Sequence, residues 1–494
     1  MTGFAGRCGL DDERRRHGVA QVTRLIESAG IELVRFVWCD VHGVTRGKAV
    51  TARAVTRAFQ EGVGIVSTLM LKDTSDRTAF KVFEPGGTAG LPGFEGANNL
   101  MLMADPARFR QLPWTSATGW VAGQLYFQDG RPVELDARRI LQQALARLAD
   151  AGFGMRCGLE VEFHVYRIED SGPQLDPERA AWPGLPPRLR LVHPGYNLLT
   201  EAWWNLAEEP LRIVQHTAEG LDLPLSSLEI ELGPSQVEAV FDATDALTAA
   251  DNMVLFRNAV RQALHKAGYW ASFVCRPPFP NIMSSGWHLH QSLVRLADGS
   301  NAFRRPAPAA GATPADAAYS LSDTGEHYLG GLLAHARGMA VFCTPTVNGF
   351  ARFQPNALAP QSALWGRDNR GAALRVIGPC SDEATRIENR IGEPSANPYL
   401  YLASQVHAGL DGIARGLRAP PATNAPYAGS DPALRLPTSL GEALEALETD
   451  AVLCEAFGRT FVDYYTRLKR SELARHEMAE DKVDFQRREY FSRF

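Results

Sequence analysis

Gly158-Leu-Glu-Val-Glu-Phe-His164 sets two glutamates at alternate positions of a short apolar run. On a β-strand, residues two apart share a face, so Glu160 and Glu162 project side by side while Val161 and Phe163 face whatever packs behind. Parallel carboxylates repel one another unless a proton or a cation stands between them. A solvated strand edge could carry the same pattern, so the pair acquires meaning only if other strands supply matching donors. Working outward, Ser285-Gly-Trp-His-Leu-His290 puts His288 and His290 on one strand face behind a Ser-Ser-Gly turn. Arg386-Ile-Glu-Asn-Arg390 sets Glu388 between two guanidinium groups. Leu228-Glu-Ile-Glu-Leu232 and Val237-Glu-Ala-Val240, joined by Gly233-Pro-Ser-Gln236, read as a hairpin offering Glu231 and Glu238 on facing strands. Asn369 to Arg375 adds Arg370 and Arg375.

Taken singly these are a core histidine, an ion pair or a solvated face. Together they offer five glutamates and one histidine as ligands, with arginines beside them. That donor set is hard and oxygen-rich, which suits Mg²⁺ or Mn²⁺ and not a structural zinc. Two such ions next to arginines are what phosphoryl transfer needs, because both neutralise charge on the moving group. No standard nucleotide loop competes. Gly43-Val-Thr-Arg-Gly-Lys48 has the wrong spacing for a Walker loop, and neither G-x-G-x-x-G nor G-x-S-x-G occurs. His476-Glu-Met-Ala-Glu480 lacks the second histidine of a zincin.

Length and composition bound the rest. A chain of 494 residues exceeds one ordinary domain, and its 45% hydrophobic and 22% charged content is that of a globular protein with ample core. The net charge of −5 argues against a general nucleic-acid or membrane-surface binder. No apolar run reaches the roughly 18 residues of a membrane span, and the N-terminus has no apolar signal core. Seven scattered cysteines without a C-x-x-C pair read as reduced thiols, so a cytoplasmic location is expected.

Along the chain, residues 1–18 read as polar and frayed, Val19 to Ser28 as a short helix, Ile31 to Trp38 as a strand, and Asp40, Gly43 and Gly47 as a turn. Asp136 reads as the N-cap of an amphipathic helix ending near Gly152. Helices are expected over Glu208–Glu219, Ala246–Gly268 and His327–Met339, a strand over Trp270–Cys275, and a charged helical end from Ser439. Pro173–Pro194, Ala297–Ala318 and Leu417–Pro437 read as loops, the second a surface loop or lid. Hairpins with helices between them favour α+β over a doubly wound sheet.

The set of motifs resembles the glutamine synthetase family, through Phe36–Lys48, Gly158–Phe163, Glu231–Glu238, Ser285–Leu293, Asn369–Arg375 and Arg386–Leu400 in that order. The resemblance implies a small β-grasp N-terminal domain, residues 1–128, and a catalytic domain, residues 129–494, with a curved antiparallel sheet and surrounding helices. It implies ATP and glutamate as substrates entering opposite ends of a funnel, with two or more Mg²⁺ or Mn²⁺ ions. By position Glu162, Glu231 and Glu238 match one ion's ligands, and Glu160, His288 and Glu388 the other's. Arg370 and Arg375 match phosphate-binding arginines, Arg352 and Arg390 those near glutamate and the transferred phosphoryl group, and His290 and Ser292 ATP contacts. Asp40 matches an aspartate given to a neighbouring subunit's amine site, which implies a ring, typically a double-ring dodecamer.

Departures from the family pattern narrow the acceptor. In the flap Arg352-Phe-Gln-Pro-Asn-Ala-Leu-Ala-Pro360, Leu358 stands where family members that use ammonia carry a proton-accepting glutamate. Ammonium needs an acid to attract and deprotonate it, whereas an arylamine such as aniline arrives neutral and gains from an apolar wall. Met283 and Ser284 replace an Asn-Gly pair that touches glutamate, and Asn424–Gly429 lacks the adenylylation pattern. The expected function is an ATP-dependent ligase joining glutamate's γ-carboxylate to a neutral or apolar amine through γ-glutamyl phosphate, for amine catabolism. Glutamine synthesis from ammonia, a polyamine or alkylamine ligase, a non-catalytic ring-forming relative and a metal-dependent hydrolase are the alternatives.

Overall fold

The computed structural model describes residues 3–170, 175–178, 180–306, 321–354, 358–428 and 431–494. Its strands fall into two sheets. The first comprises β1 (Leu33–Cys39), β2 (Thr45–Thr51), β3 (Val63–Val66), β4 (Asn99–Ala104), β5 (Arg110–Gln111) and β6 (Thr118–Tyr126), in the order β2-β1-β6-β4-β3 with β5 on β6. The second comprises β7 (Phe153–Ile168), β8 (Leu189–Leu191), β9 (Leu225–Ile230), β10 (Gln236–Asp245), β11 (Tyr269–Ser272), β12 (Trp287–Arg295), β13 (Trp365–Arg367), β14 (Leu374–Ile377) and β15 (Arg386–Asn389). Its order is β13-β14-β15-β12-β7-β10-β9, with β8 and β11 also on β7, and among these pairs only β13 with β14 is parallel. Sheets with helices packed on them make the chain α+β.

β7 is the spine of the second sheet, and its alternation decides which face carries chemistry. Leu159, Val161, Phe163 and Val165 are buried at 3% exposure or less. Phe163 stacks on Phe273 at 4.9 Å and meets Phe256 of the helix Ala246–Lys266 edge-on at 6.0 Å. With that face fixed in the core, a one-residue slip of register would bury the glutamates, so the apolar pattern holds Glu160 and Glu162 on the other face. The helix Pro398–Arg415 pins the neighbouring strands. Gln405 Oε1 accepts from Gln291 Nε2 of β12 at 3.1 Å and from Asn389 Nδ2 of β15 at 2.8 Å, a buried polar tie that fixes the two strands against each other.

Several elements differ from the sequence reading. The N-terminus is helical from Glu13 to Ser28, because the Asp12 carboxylate caps the Arg15 amide at 2.7 Å, and a short turn covers Phe4–Arg7. Gly47 lies inside β2 opposite Val37, where a Cβ would meet the Phe36 carbonyl. The helix expected from Glu208 starts at Glu201 despite Pro210, and β11 stops at Ser272. The loop readings at Pro173–Pro194 and Ala297–Ala318 fall partly outside the described residues.

The helix expected across His327–Met339 is two, Asp323–Ala334 and Ala336–Cys343, with His335 between them. Its Nδ1 lies 2.7 Å from Asp450 Oδ2 and its Nε2 3.0 Å from Asp411 Oδ2. Burial alone would lower the imidazole pKa, but the hydrogen bonds and charges of Asp450 and Asp411 outweigh it and hold it above its usual value. The imidazolium's stabilising contribution is therefore complete below pH about 6.5 and is lost as pH rises through the folded pKa. The melting-temperature advantage of wild type over His335→Gln should shrink as pH climbs from about 6 to about 9. An advantage that does not change with pH would mean the ring is held neutral.

Candidate active site

Cross-strand register brings the expected donors onto one sheet face. Glu160 stands opposite His288, Glu162 opposite Glu238, and Glu388 opposite both His290 and Arg375. Glu160 Oε2 is 3.3 Å from His288 Nδ1, and its Oε1 is 2.9 Å from His290 Nε2. His288 Nε2 is 3.7 Å from Glu162 Oε1, and its Nδ1 is 3.8 Å from Glu388 Oε1. Three donor groups, Glu160–His290–Glu388, Glu160–Glu238–His288 and Glu229–Glu231–Glu238, each present ligand atoms within 4.8 Å of one another.

The electrostatics are those of a site with too much negative charge for the chain alone. Burial, with Glu231 close by, raises the Glu162 carboxyl to about 7. Burial and the charges of Glu162, Glu231 and Glu160 push Glu238 up to about 11, so it stays protonated and donates to Glu231. Burial also raises Glu231. Glu160 goes the other way: burial would raise it, but hydrogen bonds from His288 and His290 hold it well below the usual carboxylate range. Burial, then the Arg390 charge, lowers His288 to about 4, which leaves a neutral ring suited to ligating a metal. Glu238 Oε1 and His288 Nε2 are buried without a hydrogen-bond partner. Orphaned acceptors on crowded carboxylates beside neutral imidazole fit hard divalent cations, so the residues present suit Mg²⁺ or Mn²⁺.

The arginines are arranged around Glu388, which is fully buried. Arg375 Nη1 donates to its Oε2 at 2.9 Å and Arg390 Nη1 to its Oε1. Arg375 also binds Asp368, Nε to Oδ1, at 3.0 Å. Arg352 is buried and donates to the Arg390 carbonyl at 2.9 Å. It reaches there across Gly286, where a Cβ would lie 2.5 Å from Arg352 Nη2 and 3.1 Å from His288 Nε2. Glycine is required by that close approach. Arg370, by contrast, is exposed in the turn before β14. His290 and Ser292 line a cavity of about 460 Å³ together with Arg156, Glu160, Asn301 and Arg386.

Other expected residues sit further out. Glu231 lies just past β9, and the residue opposite Glu238 on that strand is Glu229. Ser284 Oγ accepts from Arg276 Nη1 at 3.2 Å. Its carbonyl accepts at 3.2 Å from Gln236 Nε2, which also donates to Glu162 Oε2 at 2.9 Å. Leu358 is 55% exposed with φ of 52°, while flap residues 355–357 lie outside the described residues, as does Gly429. Asp40 is buried in the β1–β2 turn, its Oδ1 accepting from His42 and Val44 amides at 3.0 Å and its Oδ2 from Arg46 Nε at 2.6 Å. Burial would raise its pKa, but Arg46 and His42 with these bonds keep it lowered. Sequence reasoning missed Glu229, although Glu229-Ile-Glu231 repeats the alternation of β7, and missed Gln236, which sat in a segment read as a turn.

Comparison with known proteins finds relatives along nearly the whole chain. A family model described as glutamine synthetase, catalytic domain, matches residues 134–488. The chain is 39% identical to a γ-glutamylanilide synthase of Acinetobacter sp over 485 residues, covering 97% of this chain and 94% of that protein. It is 30% identical to a γ-glutamylethanolamide synthetase of Streptomyces coelicolor, covering 96% of each. Among solved structures, a GmaS–ADP complex superposes with a TM-score of 0.76 at 25% identity, covering 94% of this chain and 98% of that one.

Proposed function

The chain belongs to the glutamine synthetase family and is an ATP-dependent ligase, and from that premise we propose that it couples glutamate's γ-carboxylate to a neutral arylamine. The acid oxygen attacks the γ-phosphorus of ATP and ADP leaves; the amine nitrogen then attacks the carbonyl carbon of the acyl phosphate, phosphate departs, and the nitrogen gives up one proton. What supports the ligase chemistry is the convergence of Glu160, Glu162, Glu238, His288 and Glu388 on one sheet face. These residues, with Glu231, would hold Mg²⁺ or Mn²⁺, which supplies Lewis-acid polarisation of phosphate oxygens. Arg390 and Arg352 would steady glutamate and the moving phosphoryl group, Arg370 and Arg375 the phosphates, and His290 and Ser292 the nucleotide in the cavity they line. Residues 1–128 would form a β-grasp domain that carries Asp40 to a neighbour's site within a ring, probed as a dodecamer, while residues 129–494 form the catalytic domain. Asp40 would enter that site already paired with Arg46, hence as a weak base.

The arylamine assignment rests on Leu358 and on the anilide synthase likeness. ADP release measured across aniline, alkylamines, ethanolamine, polyamines and ammonia should give aniline the highest kcat/KM. Ammonia as the best acceptor would make this an ordinary glutamine synthetase. Leu358→Glu should move the ammonia-to-aniline ratio of kcat/KM upward by about tenfold, from a charge-assisted hydrogen bond of roughly 1.5 kcal/mol. An unchanged ratio would remove Leu358 from the acceptor pocket.

A further inference from the structure

The loop after the helix Pro398–Arg415 is held down along its length. Trp365 Nε1 donates to the Pro420 carbonyl at 2.5 Å, and the Thr423 amide donates to the Trp365 carbonyl at 2.9 Å. Asn369 Nδ2 then donates to the Thr423 carbonyl at 3.2 Å, which ties the loop to the turn bearing Arg370. The Ala425–Ala428 turn that follows presents Tyr427. Its half-buried ring lies over Gly371, where an added Cβ would come within 3.1 Å of the ring edge. Its hydroxyl donates to the Ala359 carbonyl at 3.3 Å, immediately after Leu358. One aromatic residue thus links the Arg370 turn to the residue following Leu358.

We propose that Tyr427 is a specificity-determining residue of the acceptor side, its ring an aromatic wall beside Leu358 and its hydroxyl the tether that places the Leu358–Ala359 segment. The proposal rests on the ligase reading above and deepens its acceptor half. Burial raises the phenol pKa while the Arg390 and Arg352 charges pull it down, which places the ring within electrostatic reach of the two arginines assigned to glutamate. A neutral phenol over a glycine floor offers an incoming aryl ring an offset or edge-on partner and offers ammonium no charge.

The test compares Tyr427→Phe, which keeps the ring and drops the hydroxyl, with Tyr427→Ala, which drops both. Steady-state kinetics would use aniline, cyclohexylamine and ammonia as acceptors, with saturating ATP and glutamate. Tyr427→Ala should raise the aniline KM roughly tenfold, the size of a lost aromatic pair. The KM for ammonia should stay within experimental error of wild type. Tyr427→Phe should keep the ring's share of the aniline affinity and lose only what the tether to Ala359 contributes, a KM rise smaller than that of Tyr427→Ala. An equal loss for aniline and ammonia would mean a merely structural role and overturns the proposal, as does an unchanged aniline KM. A wild-type enzyme that uses ammonia and ignores aniline defeats the arylamine reading instead. The wall is then judged by the cyclohexylamine-to-ammonia KM ratio, whose indifference to residue 427 overturns it.

Discussion

Glu238→Gln is expected to leave the fold intact and to cut kcat by about three orders of magnitude or more, the scale of losing several kcal/mol of stabilisation at a phosphoryl-transfer site. Glu238 faces Glu162 across the β7–β10 pairing and Glu229 across β9–β10, with Glu231 close enough to share a proton. Glutamine keeps the side chain's shape, one acceptor oxygen and a donor for Glu231, as the protonated carboxyl does, but it cannot ionise to ligate a cation. Without divalent ions the variant should therefore melt close to the wild-type temperature. With Mg²⁺ the two separate, because a ligand that binds only the folded state stabilises it by about 2.7 kcal/mol at a hundred times its Kd. Wild type should gain that shift and the variant most of it should lose. Thermal melts with chelator and with Mg²⁺, beside steady-state ADP release, check both halves. Wild-type kcat in the variant would place the ions elsewhere.

That face was legible in the sequence to the extent that alternation is local. Glu160-x-Glu162, His288-x-His290 and Arg386-x-Glu388 lie on strands, with Arg390 one residue past the end of β15, and period two fixed which residues share a side. Which strands meet, and in what register, was not local. Glu160 opposite His288 joins residues more than a hundred positions apart, and the pairing is chosen by the apolar backs of β7 and β12 packing into the core. The hairpin reading shows the limit: the strand β9 ends at Ile230, so Glu231 lies in the connection and Glu229 takes the place opposite Glu238. Asp40 shows another, since nothing in Asp40-Val-His-Gly43 announces that Arg46 and two backbone amides will occupy its carboxylate. Helix ends followed their caps where a cap was recognised, as at Asp136, whose carboxylate accepts from the Arg138 amide at 3.0 Å. Asp12 does the same for the N-terminal helix, inside a stretch whose polar composition reads as frayed.

Arg390→Ala should be damaging on two counts that a second variant separates. Arg390 is buried, donates to Glu388 and keeps its Nε without a partner, a donor left over for a substrate oxygen. Removing it strips one of two guanidinium groups from a fully buried carboxylate, and breaking a buried pair from one side costs about 3–5 kcal/mol of stability. Removing one preorganised donor from a developing charge costs about 10²–10³ in rate. Arg390→Lys restores a cation beside Glu388 but not the planar fork. It should therefore recover most of the lost melting temperature while kcat stays low. The residual defect should lie in kcat more than in the KM for ATP, because the cavity proposed for the nucleotide is bordered by Arg386 and His290 and not by Arg390. If Arg390→Lys turned over at the wild-type rate, Arg390 would be a structural counter-ion for Glu388 and the phosphoryl group would be steadied by Arg375 or Arg352 instead.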